Sequence, residues 1–133
     1  MFQNLSIFEK TYEMILWLYP TVNKFPQSQR FVLGQQIENT ILQILKGIIQ
    51  ANTEIDKLSH LKQISVELDK LRILIRLSKD LRFISIRQYA FAAEKINEIG
   101  KMLGGWMKNS DRARNFGGNN FPQNSALNLV QRG

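Results

Sequence analysis

The sequence contains no cysteine and a single histidine, His60. Without thiols there is no disulfide, no thiolate nucleophile and no cysteine metal site, which agrees with a reducing compartment. A di-iron bundle needs a glutamate three residues before each of two ligating histidines; position 57 is lysine and there is no second histidine. His60 reads as a plain surface or boundary residue, so the serines have no base with which to build a hydrolase triad. Gly104-Gly105 lacks the Lys-Ser/Thr continuation of a phosphate-binding loop. No uncharged apolar stretch approaches the ~18 residues needed to cross a bilayer. The start, MFQNLSIFEK, places Glu9 early and has no basic residue ahead of an apolar run, so it does not read as a signal peptide. The expectation is a soluble, cytoplasmic, non-enzymatic protein with no metal, no cofactor and no membrane contact.

Sustained alternation of period two is also lacking, whereas four segments carry apolar residues at spacings of three and four. The first runs from about Leu5 to Asn23, with Phe8, Tyr12, Ile15, Leu18 or Tyr19, and Val22 on one side and Pro20 inside it, where a kink is expected. Pro26 interrupts, and Ser28 is the N-cap candidate for a second segment built on Phe31, Gly34, Ile37, Ile41, Ile44/Leu45 and Ile48. The third runs from about Asp56 to Leu81 on Leu61, Ile64, Leu68, Leu71 and Ile75. Ser85-Ile86-Arg87-Gln88 has the spacing of a capping box, with Ile84 and Tyr89 placed to staple across it. The fourth helix is expected to end near Lys108. Connections of about four residues force consecutive helices antiparallel. The pattern predicts an all-α, antiparallel up-down-up-down four-helix bundle over residues 1–108, followed at 109–133 by an Asn/Gly-rich flexible tail without apolar period.

What is present in excess is positive charge, and it is segregated. The chain carries a formal +7. From Lys70 to Arg114 there are eleven basic and four acidic residues, a surplus of +7, while the first 69 residues carry six basic and seven acidic, net −1. Charge gathered on a helical segment builds a field on one side of the molecule, and a polyanion answers it. At 100° per residue Arg72, Arg76 and Lys79 fall within about 60° of one another on the third helix. Arg82, Arg87, Lys95, Lys101 and Lys108 extend the positive surface. Ordinary solvated helix positions are the plainer reading of such a line. Against phosphate it would act through counterion release, with strong salt dependence and little base specificity. Phe83 or Tyr89 could stack on bases, although a core or staple role suits them better. Glu94 and Glu98, one turn apart among Lys95, Lys101 and Arg87, read as surface ion pairs rather than paired catalytic carboxylates. Gly100 and Gly104 share a helix face open to close approach, and Trp106 needs cover from the core or from another subunit.

Taken in order, Tyr12, ILWLYPTVNKFP at 15–26, RFVLGQQIENTI at 30–41, ELDKLRILIRLSKDLRFISIRQY at 67–89 and EIGKMLGGWMK at 98–108 resemble one known superfamily. It holds the ribosomal-RNA intervening-sequence proteins and the accessory variability determinant (Avd) of diversity-generating retroelements. The resemblance covers about residues 5–108. It implies a non-enzymatic four-helix bundle assembled as a homopentamer. In the retroelement branch it implies binding to the reverse transcriptase and template RNA, in support of adenine-mutagenised cDNA synthesis. There the basic pair of the LRxLxR block falls on Arg72 and Arg76; Lys79, Arg82 and Arg87 are added by geometry alone. The intervening-sequence branch implies instead an RNA-binding or scaffolding bundle without a reverse-transcriptase partner. The Asn-rich end, NFGGNNFPQNSALNLVQRG, has the composition of a reading frame entering an adenine-rich template repeat, with a solvated tail as the plainer alternative.

Overall fold

The computed structural model describes residues 5–117. Among these there are four long helices and no strand: α1 (Leu5–Asn23), α2 (Gln35–Thr53), α3 (Leu58–Asp80) and α4 (Ile86–Gly117). A helical turn, Gln27–Gln29, and a five-residue π-helical segment, Arg30–Gly34, lead into α2. Each long helix packs against two others in the cyclic order α1, α2, α3, α4, so α1 and α3 lie across a diagonal. Lys10 reaches Glu98 and Trp17 packs at a tilt against Phe91, seven residues forward on α1 and seven back on α4, which makes that pair antiparallel. The structure is the expected all-α four-helix bundle.

The core is aliphatic. Ile37, Ile41, Ile44 and Ile48 of α2 face Leu61, Ile64, Leu68, Leu71 and Ile75 of α3, and all are buried. Both stripes match the periodicity of the sequence. The first half of the α1 stripe is displaced by one residue, Ile7, Thr11 and Met14 pointing inward in place of Phe8, Tyr12 and Ile15; Leu18 and Val22 are buried as their spacing predicts, and Tyr12 is half exposed, stacked on Phe8. The aromatics at 8, 12 and 19 draw a sequence reading toward their own face, while the polar Thr11 disguises the true one. Buried Thr21, Thr40 and Ser78 are tolerated because each hydroxyl donates to the carbonyl four residues earlier.

Phe31 is the second departure. Its spacing predicts the core face of the second helix, yet it is 72% exposed. The π-helical turn inserts an extra residue into the helical repeat, so Leu33 and Gly34 enter the core and Phe31 and Val32 turn outward. Ser28 is not the N-cap. The chain enters the helix directly after extended Pro26, whose carbonyl accepts from the amides of Gln29 and Arg30.

The other ends are capped by chemistry. Lys57 Nζ donates to the carbonyls of Ala51 and Glu54, placing a cation at the C-terminus of α2. The capping box forms as expected: the Gln88 amide donates to Ser85 Oγ at 3.0 Å, and the Ser85 amide to Gln88 Oε1 at 2.8 Å. Ile84 and Tyr89 lie in and against the core beside it. α3 ends in a Schellman turn, with Phe83 N donating to Ser78 O and Arg82 N to Lys79 O. Its left-handed position, φ 67°, is held by Arg82 rather than glycine, at a cost of roughly 1–2 kcal/mol.

α4 continues to Gly117, beyond the end expected near Lys108. Residues 109–116 contain neither glycine nor proline, and a helix already nucleated needs no apolar period to propagate. The rest of the proposed flexible tail, 118–133, lies outside the described residues.

Candidate nucleic-acid interface

The residues expected to meet phosphate are on the surface, and the structure divides them. Arg72, Arg76 and Lys79 run along α3 at the edge of its core-facing stripe. Each has an acidic neighbour on the same helix. Arg72 Nη1 donates to Asp69 Oδ1 at 2.8 Å, Arg76 Nε lies 3.9 Å from Asp80, and Lys79 Nζ lies 3.3 Å from Asp80. These are solvent-screened pairs, worth about 0–1 kcal/mol, and leave the cations available to a stronger anion. The Arg76 side chain is 68% exposed and that of Arg72 40%. Arg82 and Arg87 are exposed and carry no carboxylate partner among the described residues.

Arg72 leans toward α4. A groove of about 400 Å³ runs between the two helices, lined by Ser65, Leu68, Arg72, Asn97, Gly100 and Lys101 among others. A Cβ on Gly100 would lie 2.9 Å from Arg72 Nη2. The missing side chain at Gly100 is therefore what lets the guanidinium fold over the groove, a contact within the chain. Gly104 faces open space. Trp106 is 4% exposed and part of the chain's own core, so of the two kinds of cover open to it the chain supplies the first. A large ring at a position facing inward on α4 is covered by the bundle before any partner arrives.

Gly104 lies inside a helix with nothing near its absent side chain, so Gly104→Ala is expected to stabilise the chain by about 1 kcal/mol in chemical denaturation. A loss of self-association in the same variant, seen by sedimentation, would instead keep Gly104 as a site of subunit contact.

The two aromatics are engaged internally. Phe83 packs on Phe25 with ring centroids 5.5 Å apart, and Lys79 Nζ sits 4.6 Å over the Tyr89 ring. Glu98 joins Lys95 on its own helix at 3.8 Å and Lys10 of α1 at 3.6 Å, ion-pair rather than hydrogen-bond distances. The Lys10 contact joins two helices far apart in sequence. His60 faces Glu54 at 3.7 Å at the α2–α3 connection. Burial pushes the Glu38 carboxyl above its usual range, and burial followed by the Glu38 charge raises the Tyr19 phenol. Tyr19 belongs to α1 and Glu38 to α2.

Against this geometry, the bAvd-like family model matches residues 5–110, from the start of α1 through the capped and cationic parts of α4. The chain belongs to the bAvd-like family. It is a bacterial Avd-like protein, and proteins of this family are generally non-catalytic accessory factors. No curated protein sequence matches it. The matched span contains each of the five cations singled out above. Among the described residues, no helix is long and apolar enough to cross a membrane.

Proposed function

We propose that this Avd-like protein is the accessory factor of a diversity-generating retroelement, binding the element's reverse transcriptase and template RNA through its basic surface to support mutagenic cDNA synthesis. The observation that carries the reading is the coincidence of family and charge: the matched span holds +6 of the segregated +7, with Arg72 and Arg76 one turn apart on α3. The match to an Avd model favours this reading over an intervening-sequence scaffold.

Self-association into a homopentameric ring is part of the proposal. Leu5, Tyr12 and Leu16 make one exposed apolar line on α1, and Val66, Ile73 and Leu77 make another on α3. On diagonally opposed helices these lines face away from each other, the arrangement that supports a head-to-tail, ring-closing contact rather than a two-fold one. Five copies would carry about +35, from +7 each, and hold polyanions in a salt-sensitive way.

The test is co-purification. The tagged chain, expressed with the reverse transcriptase and the template transcript, should retain both, and folded Arg72→Ala/Arg76→Ala should lose one or both. Undiminished retention by the double variant would remove those arginines from the role. A near-copy of the downstream nucleotide sequence differing at adenines is the genomic expectation. A neighbourhood with neither that copy nor a reverse-transcriptase gene would count against the retroelement reading.

A further inference from the structure

We infer that the phosphodiester-binding centre lies at one end of the bundle, where the α1–α2 and α3–α4 connections meet, and not along the flank of α3. The inference rests on the RNA-binding reading above and gives it a location.

Phe25 of the first connection packs on Phe83 of the second, so two stretches distant in sequence share one end of the molecule. Residues 19–38 contain Lys24 and Arg30 with one acid, Glu38, whose charge acts on Tyr19; residues 77–93 contain Lys79, Arg82 and Arg87 and only Asp80. Five cations against two acids give +3 at this end, from parts of the chain that the linear charge distribution separates. The opposite end mixes signs, with Glu54, Asp56 and Lys57 together in the α2–α3 connection. Lys24, Arg82 and Arg87 are exposed and have no carboxylate partner among the described residues, whereas the flank cations Arg72 and Arg76 are each next to an aspartate. Arg30 Nε is buried without a hydrogen-bond partner.

The backbone points the same way. The π-helical turn that begins at Arg30 and the left-handed residue Arg82 both fall at this end. Both are local departures of a kind that collects at functional sites. At Arg82 glycine would fit the backbone better, so the side chain is kept against conformational preference. A cleft of about 620 Å³ opens beside it, lined by Lys79, Asp80, Arg82, Phe83, Ser85 and Ile86 among others. Guanidinium and ammonium groups around a shallow cleft suit the phosphodiester backbone of a single-stranded nucleic acid, held without base readout.

The experiment uses the full chain and a labelled single-stranded RNA of about 20 nucleotides, with affinity followed by fluorescence anisotropy across salt. Lys24→Ala/Arg82→Gly/Arg87→Ala should bind at least about tenfold more weakly at about 0.1 M salt than the unsubstituted chain. Its log–log salt slope should be shallower by about 2, near 0.7 for each of the three phosphates left without a cation. Arg72→Ala/Arg76→Ala should change the affinity less. Arg82→Gly alone should melt roughly 3–5 °C higher while binding more weakly, a combination that misfolding cannot produce. If the triple variant binds like the unsubstituted chain while the flank double variant weakens, the RNA-binding reading stands and the end-on location is overturned. If the unsubstituted chain itself binds no RNA at low salt, both are overturned. Loss of the reverse transcriptase with RNA affinity unchanged would assign the surface to protein and likewise overturn the inference.

Discussion

Trp106→Ala is expected to lower the unfolding free energy by about 3–5 kcal/mol, a large part of the roughly 5–15 kcal/mol typical of a domain. The indole is 4% exposed and belongs to the same buried cluster as Ile99 and Leu103, earlier on the same face of α4. Truncation removes transfer free energy and leaves a cavity that the close-packed neighbours cannot fill. Because the ring is buried within its own chain, the penalty should persist at every protein concentration. Urea denaturation over a dilution series measures it. A penalty that vanished in dilute solution, where any assembly dissociates, would place Trp106 between subunits instead.

Gly34→Val should cost about 3 kcal/mol by overpacking. Gly34 closes the π-helical turn and is buried, and a Cβ there would lie 2.6 Å from Val22 Cγ1, with Phe25 Cδ2 at 3.8 Å. Val22 is β-branched and 1% exposed, so it has no rotamer into which to retreat. A bulkier side chain must push α1 away from the start of α2, at the same end as the cationic cleft. Thermal denaturation checks the prediction, with Gly34→Ala for comparison: its Cβ meets the same 2.6 Å contact but adds no Cγ atoms and recovers about 1 kcal/mol of helix propensity, so it should cost less than valine. If Gly34→Val melted at the temperature of the unsubstituted chain, the two helices would not be held this close.

The contrast between Gly34 and Phe31 shows how far the sequence can be read. Gly34 is visible as a member of the α2 apolar face, because spacing alone places it there. That it must be glycine depends on Val22, which no period reveals. Phe31 is misplaced by periodicity, which assumes about 3.6 residues per turn, and the π turn breaks that assumption at one point. The Ser85–Gln88 capping box is legible because both partners are three residues apart and the bonds are local. Ser28 fails by the same test: the carbonyl of Pro26 accepts from the amides at the start of its helical turn. The α2 and α3 core stripes, all aliphatic, can be read from spacing; the α1 stripe can be read only from Leu18 onward, since Thr11 hides in its first half.

For the candidate interface, the chain shows Arg72, Arg76 and Lys79 as a line, because one helix carries all three. It also places Asp69 and Asp80 one turn from those arginines, but not the 2.8–3.9 Å contacts they make. Lys24 and Arg30, far upstream of Arg82 by number, share its end through the up-down-up-down topology, which the linear charge distribution alone does not show. Charge that is segregated in sequence and charge that is gathered in space are different quantities, and only the second attracts a polyanion.

The most direct test of the account is the salt dependence of the chain's affinity for single-stranded RNA, measured between about 0.05 and about 0.3 M monovalent salt. Release of condensed counterions at several phosphates predicts a linear fall of log K with log salt, with a slope of about −3 or steeper. A slope near zero, with affinity intact at high salt, would show that the positive surface is incidental and would contradict the account.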